Sequence, residues 1–416
     1  MYGLVGKKLS HSFSKEIHNM LGNKDYQLYE TNSIEDFIKN NKFKGINVTI
    51  PYKTEIIPFL DELDDIAKIT NSVNTIVNVS GKLIGYNTDY YGLKESLSYH
   101  NVVIKNKKVL VLGNGSVSKT VIKLLEDLNA SSIVKLCRNI RNENEFLFKD
   151  YSNYLNFDVL INTTPVGMYP NNNDPLLFEL SKFKTLEVVI DLVYNPLRTN
   201  LMLEASKLNI KNINGLYMLV MQAKKAHELF LNKEITLNIT NKIYRKIHNY
   251  YLNLVFVGLP LSGKTKYAKI MGDLINKKVN DIDKLIEDKY QSSIPDIFAD
   301  KGEKTFRDYE SNIVYNLYKE HNLAISTGGG LIESSANMNL LKQNGIVIFL
   351  NKDQKLIAKK KIYGRPLLKK ASNILIIAKK RVPMYLEHSD IIIDLNKDTN
   401  THTNEIKEKI DEYISR

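Results

Sequence analysis

Short apolar runs rich in β-branched residues alternate with amphipathic stretches along nearly the whole chain. The clearest strand-like runs are YGLV, INVTI, KVLVLG, DVLINTT, EVVIDLV, NLVFVG, NLAIST and IVIFL. Between them, segments such as SKTVIKLLEDLN and TKYAKIMGDLI repeat their apolar positions at helical spacing. Alternation of this kind predicts an α/β fold of parallel sheets with crossover helices. No fixed-period repeat and no long low-complexity segment interrupts it. The polar stretch NKIYRKIHNYYLN, residues 241–253, separates the helical run KKAHELFLNK from a new strand, LVFVG, and is the main expected boundary. It holds no Gly/Ser linker, so the two halves are expected to be closely joined. A second crossing is expected near residue 89, in NTDYYGLKESL, ahead of a strand that begins near 107.

Composition narrows the class. A chain of 416 residues predicts two or three domains, and 43% hydrophobic with 25% charged residues is ordinary globular usage. No uninterrupted apolar run approaches the roughly 18 residues of a membrane span. The N-terminus, MYGLVGKKLSHS, enters a strand without a secretory pattern, and a single cysteine, Cys137, excludes an intrachain disulfide framework. A cytoplasmic protein is expected. The formal charge of +12 comes from lysines scattered among asparagines, with no basic tract and no aromatic-basic motif. It predicts sites for small anionic ligands, with neither nucleic acid nor membrane as a partner.

GLPLSGKT, residues 258–265, follows the strand NLVFVG and opens a helix. In that context it predicts a phosphate-cradling loop: backbone N–H groups wrap the phosphates, Lys264 reaches their oxygens, and the Thr265 hydroxyl binds Mg²⁺. The loop implies a nucleotide and leaves the acceptor open. NDIDKLIE supplies Asp281 and Asp283, two apart, which on a strand end would point the same way. One carboxylate near the metal and one near an acceptor hydroxyl would suit phosphoryl transfer. Arg307 follows in GEKTFRDYE, and Gly328, Gly329 and Gly330 in STGGG permit close backbone approach to a ligand. Arg365 precedes a proline in YGRPLL, and Arg381 lies in RVPMYLEHSD.

Taken singly, such an arginine is usually a surface residue and such a triplet usually a turn. In this order and spacing the motifs resemble shikimate kinase across nearly all of residues 252–416. The resemblance implies a three-layer P-loop domain of the nucleoside-monophosphate-kinase type, using ATP and Mg²⁺. It implies nucleotide contacts from Leu261, Ser262, Gly263, Lys264, Thr265 and Lys266, and a lid carrying Arg365. Asp283, Arg307, Gly329 and Arg381 would hold shikimate, and Asp281 would act on the metal, mostly through water. Lys264 and Asp283 would be the catalytic residues; whether Asp283 abstracts the hydroxyl proton or only positions it stays open.

The first half has a glycine turn of its own in KVLVLGNGSVSKTVIKLL, where Gly113 and Gly115 stand between a strand and a helix. This fits a dinucleotide pyrophosphate turn, although Val117 and Ser118 occupy the later positions of the full GxGxxG. The next strand ends in Arg138 where an acid would accept the ribose 2′-OH of NAD, and arginine suits the 2′-phosphate of NADP. Ser12 and Ser14 in HSFS could hold a carboxylate, and NVTIPYK offers Asn47, Thr49 and Lys53. Asn74, Asn87 and Asp89 follow in NSVNT and GYNTD. A lysine ammonium beside a carboxylate could give a proton to an oxygen that receives hydride at its carbon.

A lone Lys–Asp pair is usually a surface ion pair. HSxS, NVTxPxK, xVNT, GxNTD, NTTPVGM, DLVYNP and NGLxMLVxQA together, across about 1–235, resemble shikimate dehydrogenase. The resemblance implies a substrate domain over 1–88 completed by helices in 216–245, and an NADP-binding Rossmann domain over 89–215, ahead of the kinase domain at 252–416. Ser12, Ser14, Thr49, Asn74, Asp89, Tyr194 and Gln222 would contact substrate, with Lys53 and Asp89 the catalytic pair. Gly113, Asn114, Gly115, Ser116, Val117, Arg138, Leu192 and Gly215 would meet the cofactor. Three departures stand out: no proline follows the serines, GNGSVS replaces a glycine-alanine-rich turn, and CRN replaces Asn-Arg-Thr, which could relax the choice of NADP over NAD.

The two resemblances rest on separate residues, and the product of one reaction is the substrate of the other. The expectation is a bifunctional enzyme that reduces 3-dehydroshikimate with NADPH and phosphorylates shikimate with ATP. Two alternatives stay open at this point. One half could be a degenerate binding or regulatory module, or the chain could fuse a quinate/shikimate dehydrogenase to a kinase for another hydroxy acid.

Overall fold

The computed structural model describes residues 1–9, 12–358, 372–396 and 401–415, so Arg365 and the rest of YGRPLL lie outside the described residues. The chain divides into two compact units, Met1–Ile247 and His248–Arg416. The polar stretch 241–253 is helical through most of its length, within the helix Leu237–Tyr251. Its apolar positions fall on one face and Ile243, Tyr244 and Ile247 are buried, which turns a polar-looking segment into an amphipathic helix.

The first unit carries two sheets. Strands β1 (Tyr2–Gly6), β2 (Tyr26–Glu30), β3 (Gly45–Val48), β4 (Glu62–Leu63), β5 (Thr75–Val79) and β6 (Lys82–Tyr86) form one, in the order β2-β1-β3-β5-β6-β4. It is mixed: β1 runs parallel to β2 and β3, whereas β5 is antiparallel to β3 and β6. The second sheet, β7 (Lys108–Leu112), β8 (Ser132–Cys137), β9 (Glu145–Leu147), β10 (Val159–Asn162), β11 (Val188–Asp191) and β12 (Lys211–Asn214), has the order β12-β11-β10-β7-β8-β9 and is parallel throughout. Its order reverses between β7 and β10, the switch point at which open α/β sheets bind ligands beyond their carboxyl ends. Val109, Val111, Val159, Ile161 and Ile190 are buried on one face, Leu110, Leu112, Leu160 and Val189 on the other, as expected of a sheet covered on both sides.

Glycine permits the two sheets of this unit to share helices. Helix Thr88–Tyr99 leads from the first sheet toward the second, and Leu216–Leu231 crosses it so closely that a Cβ on Gly92 would sit 2.6 Å from the Met218 carbonyl oxygen. Farther along the same helix, Phe230 lies where a Cβ on Gly45 of β3 would be, at 2.2 Å. The second unit holds β13 (Asn253–Val257), β14 (Lys278–Asp281), β15 (Leu323–Ser326), β16 (Gly345–Asn351) and β17 (Ile391–Asp394) in the parallel order β14-β15-β13-β16-β17. Among the described residues no helix is long and apolar enough to cross a membrane.

Candidate active sites

In the first unit a buried polar cluster gathers at the carboxyl ends of β3 and β6 and the amino end of the antiparallel β5. Lys53 and Asp89 are 8% and 7% exposed, and Lys53 Nζ donates to Asp89 Oδ2 at 2.6 Å. Asn74 Nδ2 donates to the other oxygen, Asp89 Oδ1, at 2.9 Å, while Asn74 Oδ1 accepts from the Thr88 amide at 2.7 Å. Asp89 is thereby fixed from two sides, with the first turn of helix Thr88–Tyr99 as its base. Gln222 reaches the cluster from helix Leu216–Leu231, its Oε1 3.5 Å from Asn74 Nδ2 and 3.4 Å from Thr88 Oγ1. Asn47 continues the network inward: its Nδ2 donates to Thr75 Oγ1 at 2.9 Å and its Oδ1 accepts from the Tyr26 hydroxyl at 2.7 Å.

Ser12 and Ser14 lie 3.1 Å apart through their hydroxyls, Ser14 opening the helix Ser14–Met20. Thr49 directly follows β3 and is half-buried. The Tyr194 ring packs edge-on against Phe13 at 5.0 Å, and burial pushes its hydroxyl up to about 12. Asp191, ahead of Tyr194 in DLVYNP, is fully buried and accepts from Thr199, Asn162 and the Val193 amide. Burial holds its carboxyl up at about 6, against those three bonds.

The turn after β7 puts Gly113 at φ +102°, where a Cβ would meet Thr163 Oγ1 at 2.8 Å and Thr164 at 2.9 Å. Gly115 is extended and a Cβ there would meet nothing within 4 Å. Ser116 and Val117 begin the helix Ser116–Asp127, and Ser118 Oγ donates to the Gly115 carbonyl at 2.7 Å. Leu192 and Gly215 touch, since a Cβ on Gly215 would lie 2.1 Å from the Leu192 carbonyl oxygen. Arg138 is exposed just past β8.

In the second unit the loop after β13 takes three left-handed positions: Gly258 at +148°, Leu261 at +65° and Gly263 at +101°. Leucine is costly there, and such strain marks a loop whose shape is imposed. Lys264 Nζ donates to the carbonyls of Gly258 and Leu259 at 3.0 and 3.1 Å, folding its side chain back over the loop. The Ser262 hydroxyl is buried within it with no hydrogen-bond partner among the described residues. Thr265 Oγ1 donates to Asp281 Oδ2 at 2.7 Å and lies 3.1 Å from Ser326 Oγ; Lys266 is exposed beside it.

Asp281 and Asp283 differ from the expectation for a strand end. Asp281 closes β14 and caps the helix Ile282–Tyr290, its Oδ1 accepting from the amides of Asp283 and Lys284. Asp283 therefore belongs to the first helical turn, and helical rotation separates the two carboxylates.

Each glycine of the triplet is held open for a different neighbour. A Cβ on Gly328 would meet Asp283 Oδ1 at 2.8 Å and Glu310 Oε1 at 2.9 Å, one on Gly329 would meet Pro260 at 3.1 Å, and one on Gly330 would meet Arg307 Nη2 at 2.2 Å. The protein's own side chains approach this backbone. Tyr385 OH locks it by donating to the Gly329 carbonyl at 2.6 Å.

Both arginines are anchored to carboxylates. Arg307 donates from Nη1 to Glu310 and from Nη2 to Glu303, at 3.0 and 3.1 Å, after the helical stretch Ile294–Leu317 breaks at Gly302. Arg381 Nε donates to Glu333 Oε1 at 2.7 Å, and Lys380 takes the other oxygen at 2.6 Å. Burial pushes the Glu310 carboxyl up to about 7, a shift that Arg307 opposes; its Oε1 is buried with no hydrogen-bond partner among the described residues. Burial also pushes Glu333 up, but Lys380 and Arg381 outweigh that and leave it below the usual range.

The comparisons with known proteins divide at the same place as the chain. A family model described as the shikimate dehydrogenase substrate binding domain matches residues 4–76, and one described as shikimate kinase matches residues 260–413. A shikimate dehydrogenase (NADP(+)) of Clostridium perfringens is 38% identical over 270 residues, covering 59% of this chain and 98% of that protein. The chain belongs to the shikimate dehydrogenase family and continues into a shikimate kinase domain. It is a bifunctional enzyme of the shikimate pathway. A shikimate dehydrogenase (NADP(+)) of Methanococcus maripaludis is 35% identical over 253 residues, covering 55% of this chain and 91% of its own. Among solved structures, a chorismate mutase/shikimate 5-dehydrogenase fusion from Clostridium acetobutylicum matches with a TM-score of 0.56 and 34% identity, over 59% of this chain and 96% of that one. Shikimate dehydrogenase 1 from Peptoclostridium difficile gives 0.54 and 33%, over 59% and 97%.

The cofactors are NADP for the first half and ATP with Mg²⁺ for the second, and the residues fit them. The left-handed Gly113 and the open flank of Gly115 leave backbone accessible for a pyrophosphate. The buried Ser262 hydroxyl and folded-back Lys264 suit nucleotide phosphates, and Thr265 with Asp281 would offer hard oxygen ligands to Mg²⁺. Sequence reading passed over Glu310, Glu333 and Glu145. Glu310 carried a signal in its three-residue helical spacing from Arg307; the other two carried none.

Proposed function

We propose that Lys53 and Asp89 reduce 3-dehydroshikimate to shikimate and that the second half phosphorylates shikimate at its 3-hydroxyl. The observation that carries the reading is the buried Lys53–Asp89 contact at 2.6 Å, with Asn74 on the second carboxylate oxygen. NADPH when bound supplies the hydride, and ATP with Mg²⁺ the phosphoryl group. Lys53 then gives its ammonium proton to the oxygen of the reduced carbon, and Asp89 holds that ammonium in place. Ser12, Ser14, Thr49, Asn74, Tyr194 and Gln222 bind the substrate's carboxylate and hydroxyls. Residues 113–117, Arg138, Leu192 and Gly215 seat the cofactor.

In the kinase half, residues 261–266 wrap the nucleotide, Lys264 neutralises charge in transfer, and Thr265 and Asp281 serve the metal. Arg307 and Arg381 meet the shikimate carboxylate as charge-assisted forks, Gly329 lines the site, and Asp283 holds the accepting hydroxyl. We assign Arg365 to the nucleotide lid on sequence alone. Domains at 1–88 with 216–245, 89–215 and 252–416 fit these sites. Small-molecule substrates and a cytoplasmic location fit a chain that depends on NADPH and ATP.

The test supplies 3-dehydroshikimate, NADPH, ATP and Mg²⁺ and follows shikimate 3-phosphate. Product that forms only when both cofactors are present supports the reading. NADPH oxidation without phosphorylation of the shikimate formed would remove the kinase assignment, and equal turnover of gluconate or quinate would remove the substrate assignment.

A further inference from the structure

Only one residue of the glycine turn has a conformation that demands glycine. Gly113 is left-handed, but Gly115 is extended at φ −77°, ψ −175°, which any residue adopts, and Asn114 stands between them. The backbone alone leaves this turn underdetermined. The determinant lies on β9, at Glu145, 3% exposed and paired in register with Lys135 of β8.

Glu145 collects donors from every segment around the adenosine end of the sheet. Oε2 accepts from Asn114 Nδ2 of the turn and from the Arg141 amide of the loop after β8, both at 2.8 Å, with the Cys137 thiol at 3.7 Å. Oε1 accepts from Lys135 Nζ at 2.9 Å and Asn142 Nδ2 at 3.1 Å. Asn114 Nδ2 also donates to the Asn139 carbonyl at 2.9 Å, so turn and loop are joined twice. Burial would raise the Glu145 carboxyl, but its donors, Asn114 and Lys135 foremost, outweigh that and hold it at about 2.

We propose that Glu145, through Asn114, is a positioning residue for the cofactor's adenosine end, a staple that ties the phosphate turn to the loop carrying Arg138 and Arg141. This rests on the reading of residues 113–117 as the cofactor's seat. The chemistry also bears on specificity. An acid near the end of the second strand selects NAD when its oxygens are available to the ribose 2′-OH. Here protein donors occupy both oxygens and Lys135 balances the charge, so the acid cannot serve the ribose. The arginines beyond it, Arg138 and Arg141, are exposed, and on this reading it is they that would meet the 2′-phosphate.

The test is calorimetric titration of the full chain with NADP⁺ and with NAD⁺, for the parent, Asn114→Ala, Glu145→Ala and the double variant. Each single change should weaken NADP⁺ binding about tenfold, the worth of a hydrogen bond to a charged group. NAD⁺ should weaken less, and the double variant should lose no more than the weaker-binding single variant. For Glu145→Ala the KM for shikimate in the dehydrogenase reaction, and kinase activity, should stay at parent values, which a merely unfolded first half would not allow. NADP⁺ affinity within twofold of the parent in both variants, losses that multiply in the double, or equal losses for NADP⁺ and NAD⁺ would each overturn the staple. If Glu145→Ala does not fold, Glu145→Gln, which removes the charge and one acceptor oxygen, carries the test in its place. A parent chain that fails to bind NADP⁺ would sink the seat itself, a result distinct from unaffected variants.

Discussion

The two phosphate-facing turns of this enzyme are built on opposite plans. The loop at 258–265 encodes its shape in its own backbone, with left-handed positions at Gly258, Leu261 and Gly263 and Lys264 folded onto its carbonyls. The turn at 113–116 has one left-handed residue and takes its remaining constraint from Glu145, some thirty residues downstream, through Asn114. A self-contained loop must keep nearly every residue of its motif. A turn held from outside can exchange glycine for asparagine or serine, provided the distant partner persists. On the proposal made for Glu145, that difference would let GNGSVS depart from a glycine-rich fingerprint while keeping the turn's shape.

The largest effects should come from the two lysines, and they test whether the sites work independently. Lys53→Ala should lower dehydrogenase turnover by about 10²–10⁴-fold, the usual worth of a general acid, and leave phosphorylation intact. Lys264→Ala should lower kinase turnover by about 10²–10³-fold and spare reduction. Steady-state assays of both reactions on each variant check this; loss of both activities in either variant, with folding unchanged, would end the two-site picture.

Glycines sharpen the contrast next. Gly330→Ala places a Cβ 2.2 Å from Arg307 Nη2 and should raise the kinase KM for shikimate by tenfold or more. Gly115→Ala meets no protein atom within 4 Å, so thermal stability should hold while NADP⁺ affinity falls, as calorimetry and a melting curve would report. Glu333→Ala frees Arg381 Nε from its anchor. Loss of a charge-assisted bond of about 1.5–3 kcal/mol should raise the KM for shikimate roughly tenfold at little change in kcat.

The smallest effect separates the units by pH. His18 is fully buried, and burial, then the charge of His227, lowers it from 6.5 to about 3, with the neighbouring Asn47 side chain opposing the shift. The unfolded chain binds the proton more readily, so His18 favours folding above pH 6.5, and that contribution drains away as pH falls toward 3. Glu310 runs the other way: its folded value of about 7 exceeds the unfolded 4.5, so its contribution is full below 4.5 and is lost as pH rises through 7. Melting temperatures across pH 4–8 should therefore flatten in opposite senses in His18→Phe and Glu310→Gln. Parallel slopes in both variants would refute the contrast.

Legibility followed the same division. The loop at 258–265, whose residues act through their own backbone, could be read directly; Lys53 with Asp89, 36 residues apart, was paired only through the resemblance of the motifs that carry them. The buried acids could not be read. Glu145 sits in RNENEF among polar residues, and Glu333 in LIESS, with nothing to distinguish either from a surface carboxylate. The segment 241–253 read as a polar joint because four of its apolar and aromatic positions recur at helical spacing among asparagines and lysines, a pattern visible only once one face is buried. The Asp281–Asp283 spacing misled for a local reason: capping by Asp281 changes the period from strand to helix between the two.

The sequence by itself determined the α/β class, the order of two enzymes along one chain, and the candidate residues for each site. These follow from apolar periodicity and from motifs in which covalent neighbours do the chemistry. Only the tertiary structure decided what holds those residues still: Asn74 on Asp89, Tyr385 on the Gly329 carbonyl, Glu333 on Arg381, and Glu145 on the turn at Asn114. Each is a hydrogen bond between residues 15 to 56 positions apart, on different elements or loops. A buried polar group requires a partner but does not specify its sequence distance, so folding alone selects the pair.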